Sequence, residues 1–356
     1  MEFWQEQKQM SAKIWQVQKT MEQVAPNQGR FAKIINDLLA NQGKMLRPAL
    51  LMLMAGFDQE EKESIHLAAA LEFLHMASLV HDDIIDRSPE RRGIPSVVKE
   101  HGTAMAIYTG DYLIYLAAAS LASLDRTMFQ DQSLDFMAAL LEAEAAQLED
   151  RFALSLNPEE YLQRIESKTG LLFSIAATIG YGLRQQTEER MSEVKQAGLQ
   201  FGLAFQLRDD LLDFDDPAFG DLKEGNLTLP ILFALKEDVS LQKLLDLAAQ
   251  RHKNDLARKN MVDNSEVQAK EDWKTKNNLE NKTSREHGLV KNQVDQAEEL
   301  YFMITEKVRK TTALEQTQKI MLKHLEEATA SFKTTMQTKE FSVYGWMIDK
   351  LFGVKL

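Results

Sequence analysis

The apolar residues of this chain recur at helical spacing. Met10, Ile14, Val17 and Met21 step by four, three and four, which sets them on one stripe of an N-terminal helix. Phe31–Leu39, Pro48–Gly56 and Ser64–Val80 continue the pattern, and long helical patterns cover about 103–124, 132–153, 158–183, 189–214 and 228–250. Few stretches alternate with period two, so a sheet is not expected. Several segments are too apolar for a surface position. Tyr112–Leu124, "YLIYLAAASLASL", is the longest such run, yet it falls well short of a ~20-residue membrane span and reads as a buried helix. These patterns predict an all-α chain, a large bundle with at least one helix buried all round.

Only one region breaks the pattern. Residues about 251–290 are thick with Lys, Glu, Asp and Asn and hold few large apolar side chains, which predicts an exposed excursion or insertion. Helical character returns at about 291–335, and the end, "FSVYGWMIDKLFGVKL", is apolar enough to dock. The whole of 1–356 is read as one all-α domain carrying that polar insertion.

Composition narrows the function classes. A 44% hydrophobic and 27% charged chain has a globular profile. The net charge of −12 argues against sequence-independent nucleic-acid binding but not against phosphate ligands, because divalent cations can reverse a local field. The absence of cysteine excludes disulfides, thiolate zinc sites and cysteine nucleophiles, and suits a cytoplasmic protein. The opening "MEFWQEQKQM" is polar and is not read as a signal peptide.

One short echo carries the chemistry. "DDIID" at 82–86 recurs in form as "DDLLD" at 209–213, each directly behind an apolar helix. On a helix the first and last aspartates of each copy share a face, and two such faces could look at one another across a cavity. Carboxylate-only ligand sets favour hard cations, Mg²⁺ above all, with substrate phosphate oxygens completing the shell. Lys44 and Arg47 in "GKMLRP", Arg91 and Arg92 before Gly93, and Lys168 in "SKTG" are the cation types that diphosphate recognition requires. His75 stands between a core histidine and a ligand, and His81 reads as structural. Arg87 and Arg208 read as screens for nearby acids, and Asp111 as a helix N-cap or a metal neighbour. Glu63-x-x-His66 and Glu72-x-x-His75 have a di-iron spacing but share one helix, which rules that motif out.

Taken together, "GKMLRP", "LEFLHMASLVHDDIIDRSPERRG", "GDYLIYLAA", "SKTGLLFSIA", "GLAFQLRDDLLDF" and "GNLTLPILFAL" resemble, in family order, the motifs of the trans-isoprenyl (polyprenyl) diphosphate synthases over about 40–235. The resemblance implies ten or more helices around a deep central cavity. It implies Mg²⁺-dependent condensation of isopentenyl diphosphate onto an allylic diphosphate, through an allylic cation and with no protein nucleophile. By position, Asp82, Asp83, Asp86, Asp209, Asp210 and Asp213 would hold several Mg²⁺ ions that bridge the allylic diphosphate. Lys44, Arg47, His75 and Arg92 would bind isopentenyl diphosphate, and Arg91, Lys168, Thr169 and Gln206 the allylic substrate or its developing charge. Ala77 and Ser78, small residues just upstream of the first acids, would leave the product pocket open, so the product is expected to be an all-trans chain longer than farnesyl. A homodimer, or a heteromer with a small subunit, and product delivery at a membrane surface go with that reading.

The sequence departs from the family between 214 and 227. "FDDPAFGDLKEGNLTLP" makes a shortened loop, and Asn226 stands where a lysine is common, leaving Lys223 as the lysine there. Three alternatives stay open: a short-chain synthase making farnesyl or geranylgeranyl diphosphate, a weakly active or non-catalytic partner subunit, and a terpene cyclase. The second acid motif and the GKxxRP segment speak against the cyclase, and six intact aspartates against the inactive subunit.

Overall fold

The structure, a computed structural model, describes residues 2–58, 61–122, 124, 142, 145, 156–184, 187–214, 219–254 and 298–355. In chain order the helices are α1 (Lys8–Val24), α2 (Ala32–Ala40), α3 (Leu46–Ala55), α4 (Glu61–Ile85), α5 (Val97–His101) and α6 (Thr103–Leu121). They continue with α7 (Pro158–Ile165), a π-helical turn at Glu166–Gly170, α8 (Leu171–Gly182), α9 (Glu188–Asp213), α10 (Gly220–Glu224) and α11 (Leu229–Glu237). Then come α12 (241–254), α13 (298–309), α14 (Ala313–Thr335) and α15 (Thr338–Phe352). Among the described residues the one strand pairing is the ladder of β1 (Glu90–Arg91) with β2 (Ile94–Pro95). The all-α expectation holds. The helix expected at 132–153 and nearly all of the polar stretch at 251–290 lie outside the described residues.

The chain forms two units, one of Met1–Glu142, Ile165–Ala204 and Lys323–Leu356, the other of Ala143–Arg164 and Phe205–Leu322. In the first, the predicted stripe Met10, Ile14, Val17 and Met21 is the buried side of α1. Helix α3 is buried nearly all round, with Ala49 to Ala55 at most 1% exposed, and the middle of α4 is buried likewise: Leu67, Ala68, Ala69, Ala70, Leu71 and Phe73 each keep under 5% exposure. Helix α4 packs on α6, α3 and α1, while α3 also meets α8 and α15. Helix α6 is long and apolar enough to cross a membrane by length and composition, but its Leu113, Leu116 and Ala117 are buried in this unit. Asp111 sits in the middle of α6 and caps nothing, so the N-cap reading is corrected.

In the second unit the pattern read as one helix over 228–250 is broken at Asp238–Ser240. The Asp238 carboxylate accepts from the backbone N–H of Ser240 at 2.9 Å and from Lys307 at 2.7 Å, a turn chemistry that competes with helix. Glu237 accepts from the Thr312 hydroxyl at 2.6 Å and the Gln316 amide at 2.9 Å, which ties α11 to the start of α14.

Helices α3 and α8 cross so closely that a side chain at Gly180 would lie 2.2 Å from the Leu51 carbonyl oxygen, a backbone atom that cannot step aside. Gly180→Ala should therefore cost about 1–3 kcal/mol of stability. Gly182→Ala, which meets only the flexible Met191 side chain at 3.3 Å, should change it little. Equal melting temperatures for the two variants would contradict this packing.

Candidate active site

The first acid motif ends α4. Ser88 N–H reaches back to the Asp83 carbonyl at 3.0 Å around Arg87, whose φ is +51°, and this closes the helix with a left-handed cap. The chain then enters a two-residue hairpin. Arg92 (φ +54°) and Gly93 (φ +77°) form its turn between Arg91 and Ile94, the type I′ geometry that matches strand twist. Holding an arginine at positive φ is strained, and the strain is met at a place where both arginines have partners.

Arg91 turns to Asp83. Its Nε lies 2.9 and 3.0 Å from the two carboxylate oxygens and its Nη2 2.7 Å from one of them, a two-pronged pair. Asp83 is 2% exposed; burial pushes its carboxyl up, and Arg91 opposes that. Arg92 donates to the Asn41 carbonyl at 3.1 Å and lies against Gly43, where a side chain would come within 2.5 Å of its Nη2. A side chain at this glycine of "GKMLRP" would displace the Arg92 guanidinium from its present place. Asp82 lies 3.3 Å from Lys168, which the π-helical turn presents, with Thr169 buried beside it. Asp86, one helical turn after Asp82, is half-buried.

Beneath these lies a buried polar set. Arg47 Nη1 is 3.0 Å from His75 Nε2, and because arginine can only donate, His75 is the acceptor. Burial, then Arg47, Arg92 and Arg91, hold the imidazole well below its ordinary value, so it is neutral, and its buried Nδ1 has no hydrogen-bond partner. Arg47 also stacks over Phe173 at 4.7 Å. Glu72, three residues before His75 and 4% exposed, was not read as a site residue. Burial raises its carboxyl, while Arg47 and Arg92 pull it down. Its signal was there: the one acid within the apolar run 67–80 of α4, one turn from the histidine.

Lys44 has its carbonyl bonded by Trp4 and its ammonium over the Phe3 ring. Ala77 is buried in α4, and the Ser78 hydroxyl donates back to the His75 carbonyl at 2.9 Å. His81 is 3.7 Å from Asp111 and packs where Gly110 has no side chain, in keeping with its structural reading. A groove of about 430 Å³ at the other end of α4, lined by Trp15, Lys19, Ile65 and His66 among others, includes none of the predicted residues.

The second acid motif ends α9, within the second unit. Asp210 is 1% exposed and accepts from the Tyr161 hydroxyl at 2.5 Å and the Gln206 amide at 3.2 Å. Asp209 is more open and pairs with Arg208 at 2.8 Å, which bears out the screening role of that arginine. Asp213 is half-buried, with its carboxylate 3.4 Å from where a side chain at Gly220 would begin. Asp221, in the shortened loop, is pushed well up by burial and by Asp210, Asp213 and Glu224. Asn226 donates to Glu224 at 3.2 Å. Tyr161 and Asp221 were missed by sequence reasoning, because nothing local ties them to the acids.

Both motifs share one plan. The middle aspartate points inward and is held by the protein, while the first and third, four residues apart, stand at the more open side. Among the described residues no three His, Asp or Glu side chains form a ready-made metal cage. Carboxylates at such partly exposed positions suit Mg²⁺, which seldom takes an all-protein cage.

Residues 28–264 match the family model for polyprenyl synthetase. The chain belongs to the polyprenyl synthetase family. The resemblance drawn from six motifs is borne out, and with it the reaction class, prenyl transfer. Over 218 residues the chain is 34% identical to heptaprenyl diphosphate synthase component 2 of Geobacillus stearothermophilus, covering 59% of this chain and 68% of the relative. It is 32% identical over 219 residues to a chloroplastic solanesyl diphosphate synthase of Arabidopsis thaliana, covering 57% and 54%. The chain thus spans between about half and two thirds of these curated relatives. The solved heptaprenyl diphosphate synthase of Staphylococcus aureus superposes with a TM-score of 0.76 at 23% identity, covering 98% of this chain and 99% of that one. At that identity the likeness speaks for the fold, the all-α fold of polyprenyl synthetases.

Asp210 gives a pH test of the site. Its carboxyl is pushed up to about 7, by burial first, with Asp209 and Asp213 adding and Tyr161 and Gln206 opposing. The folded chain then holds a proton that the unfolded chain has released, so metal-free stability falls as pH rises from about 4 to about 7 and levels off above. Asp210→Asn keeps an acceptor for Tyr161 and cannot ionise. In metal-free urea titrations its stability relative to the parent should rise across that window. A difference that does not vary with pH would contradict the assignment.

Proposed function

We propose that this polyprenyl synthetase condenses isopentenyl diphosphate with an allylic diphosphate to give an all-trans chain longer than farnesyl. The observation that carries the reading is the shared plan of the two motifs: Asp82 and Asp86, and Asp209 and Asp213, stand four residues apart at less buried positions at the ends of two helices, while Asp83 and Asp210 are buried and held from within. The donor set of each motif fits Mg²⁺, which Asp82 with Asp86, and Asp209 with Asp213, would hold. When bound, the cation neutralises the diphosphate so that it can leave.

The remaining work falls to the chain's own groups. Lys168, beside Asp82, supports the negative charge of the leaving diphosphate, with Thr169 next to it in the widened turn. Arg91 acts through Asp83, fixing the acid motif, rather than as a separate phosphate ligand. Gln206 likewise acts through Asp210. Lys44, Arg47 and Arg92 receive isopentenyl diphosphate, and neutral His75, accepting from Arg47, aims that guanidinium. Apolar walls from α4 keep water from the allylic cation. The small Ala77, one turn before Asp82, leaves room for growth past fifteen carbons. The relatives named heptaprenyl and solanesyl diphosphate synthases support that length. The name "component 2" supports a second, smaller subunit over a homodimer, and the family supports a cytoplasmic protein that passes its product to a membrane surface.

Purified protein given Mg²⁺, isopentenyl diphosphate and farnesyl diphosphate, alone or with a smaller partner subunit supplied, should yield products beyond twenty carbons. Products that stop at fifteen or twenty carbons would overturn the open-pocket reading. Asp82→Ala and Asp209→Ala should each lower condensation at least roughly a hundredfold with the fold intact by circular dichroism. Near-parent turnover in either would remove that aspartate from the metal site.

A further inference from the structure

The loop that carries Lys44 is held from outside. Met45, the next residue, sits at the N-cap of α3 with φ +54°, and no side chain caps that helix end. A non-glycine residue in that conformation persists only where its surroundings fix it. The surroundings are the N-terminal turn Glu2–Trp4. Trp4 is 1% exposed and its indole N–H donates to the Lys44 carbonyl at 2.7 Å, while the Lys44 ammonium lies over the Phe3 ring at 5.4 Å from its centre.

That turn is itself clamped by α15. Phe3 and Trp4 meet edge to face at 4.9 Å, and both meet Trp346, at 5.3 and 5.5 Å. The Trp346 indole and the Lys350 ammonium each donate to the Glu6 carboxylate at 3.0 Å. The N-terminal turn therefore holds Lys44 through its backbone and its side chain separately, and α15, distant in sequence, holds that turn. A clamp that served only to bury apolar surface would not need an aromatic face under an ammonium group.

We propose that Phe3 and Trp4, clamped by Trp346, are positioning residues for Lys44 in the binding of isopentenyl diphosphate. Trp4 sets the backbone of the "GKMLRP" loop, and the Phe3 ring, through its negative face, holds the ammonium at its working place. Neither ring touches substrate. The inference rests on the reading above, in which Lys44 contacts that diphosphate.

The test is steady-state kinetics of the full chain with both substrates varied. Phe3→Leu keeps apolar bulk and removes the ring, and should raise KM for isopentenyl diphosphate about three- to tenfold. The KM for the allylic diphosphate and kcat should stay within about twofold of the parent. Phe3→Trp, with the stronger ring, should match the parent or improve on it. Trp4→Phe, which removes the N–H together with part of the buried ring, should move the same KM in the same direction. Movement of both KM values together, of neither, or failure of Phe3→Trp to restore would overturn the proposal. If the parent condenses nothing, the diphosphate role of Lys44 falls, and this proposal with it. An active parent with unchanged Phe3→Leu kinetics would overturn the clamp alone.

Discussion

A carboxylate at the C-terminal end of a helix meets the negative end of the macrodipole and a cluster of unpaired carbonyls. This chain places three at the end of α4 and three at the end of α9, directly behind apolar turns. Everything around the two motifs answers that repulsion. Asp83 is neutralised by a two-pronged guanidinium, and Asp210 shares a proton-rich contact with the Tyr161 phenol. The outer acids draw Lys168 and Arg208. Acid pairs four residues apart at partly exposed helix ends also suit a divalent cation, since Mg²⁺ combines carboxylate oxygens with water and phosphate.

The two motifs differ in how the inner acid is held, and the difference has consequences. Arginine stays charged, so Asp83 keeps an ionic partner that opposes the upward push of burial on its carboxyl. A phenol and an amide carry no charge, so Asp210 remains sensitive to Asp209, Asp213 and whatever binds them. The second motif is therefore the one whose charge state follows its ligand. It is also the one beside the shortened loop, where Asn226 turns to Glu224 rather than offering a lysine.

Much of this was legible in the residues. Period and apolar content placed α1, α3, α4, α6 and α9 because those helices bury stripes or whole surfaces. The spacing of DDxxD already turns its second aspartate away from the first and last, and the structure gives that turn its partners. Other features had no local signal. The hairpin at 90–95 turns on Arg92 at positive φ, where composition predicts asparagine or glycine, and it is fixed instead by Gly43 and the Asn41 carbonyl. The widened turn at 166–170 leaves the apolar pattern of one long helix intact while it shifts Lys168. Glu72 and Tyr161 gain meaning only from residues far off in sequence.

Binding to the folded chain raises its stability by mass action, and this reads the acid motifs without requiring turnover. The most direct measurement is the melting temperature in Mg²⁺ alone, in pyrophosphate alone and in both. The parent should rise with both together by more than the two separate rises combined. The doubly substituted Asp82→Asn, Asp209→Asn chain should show no such excess. Simple additivity in the parent, or an excess that survives both substitutions, would contradict a diphosphate site built on cations held by these aspartates.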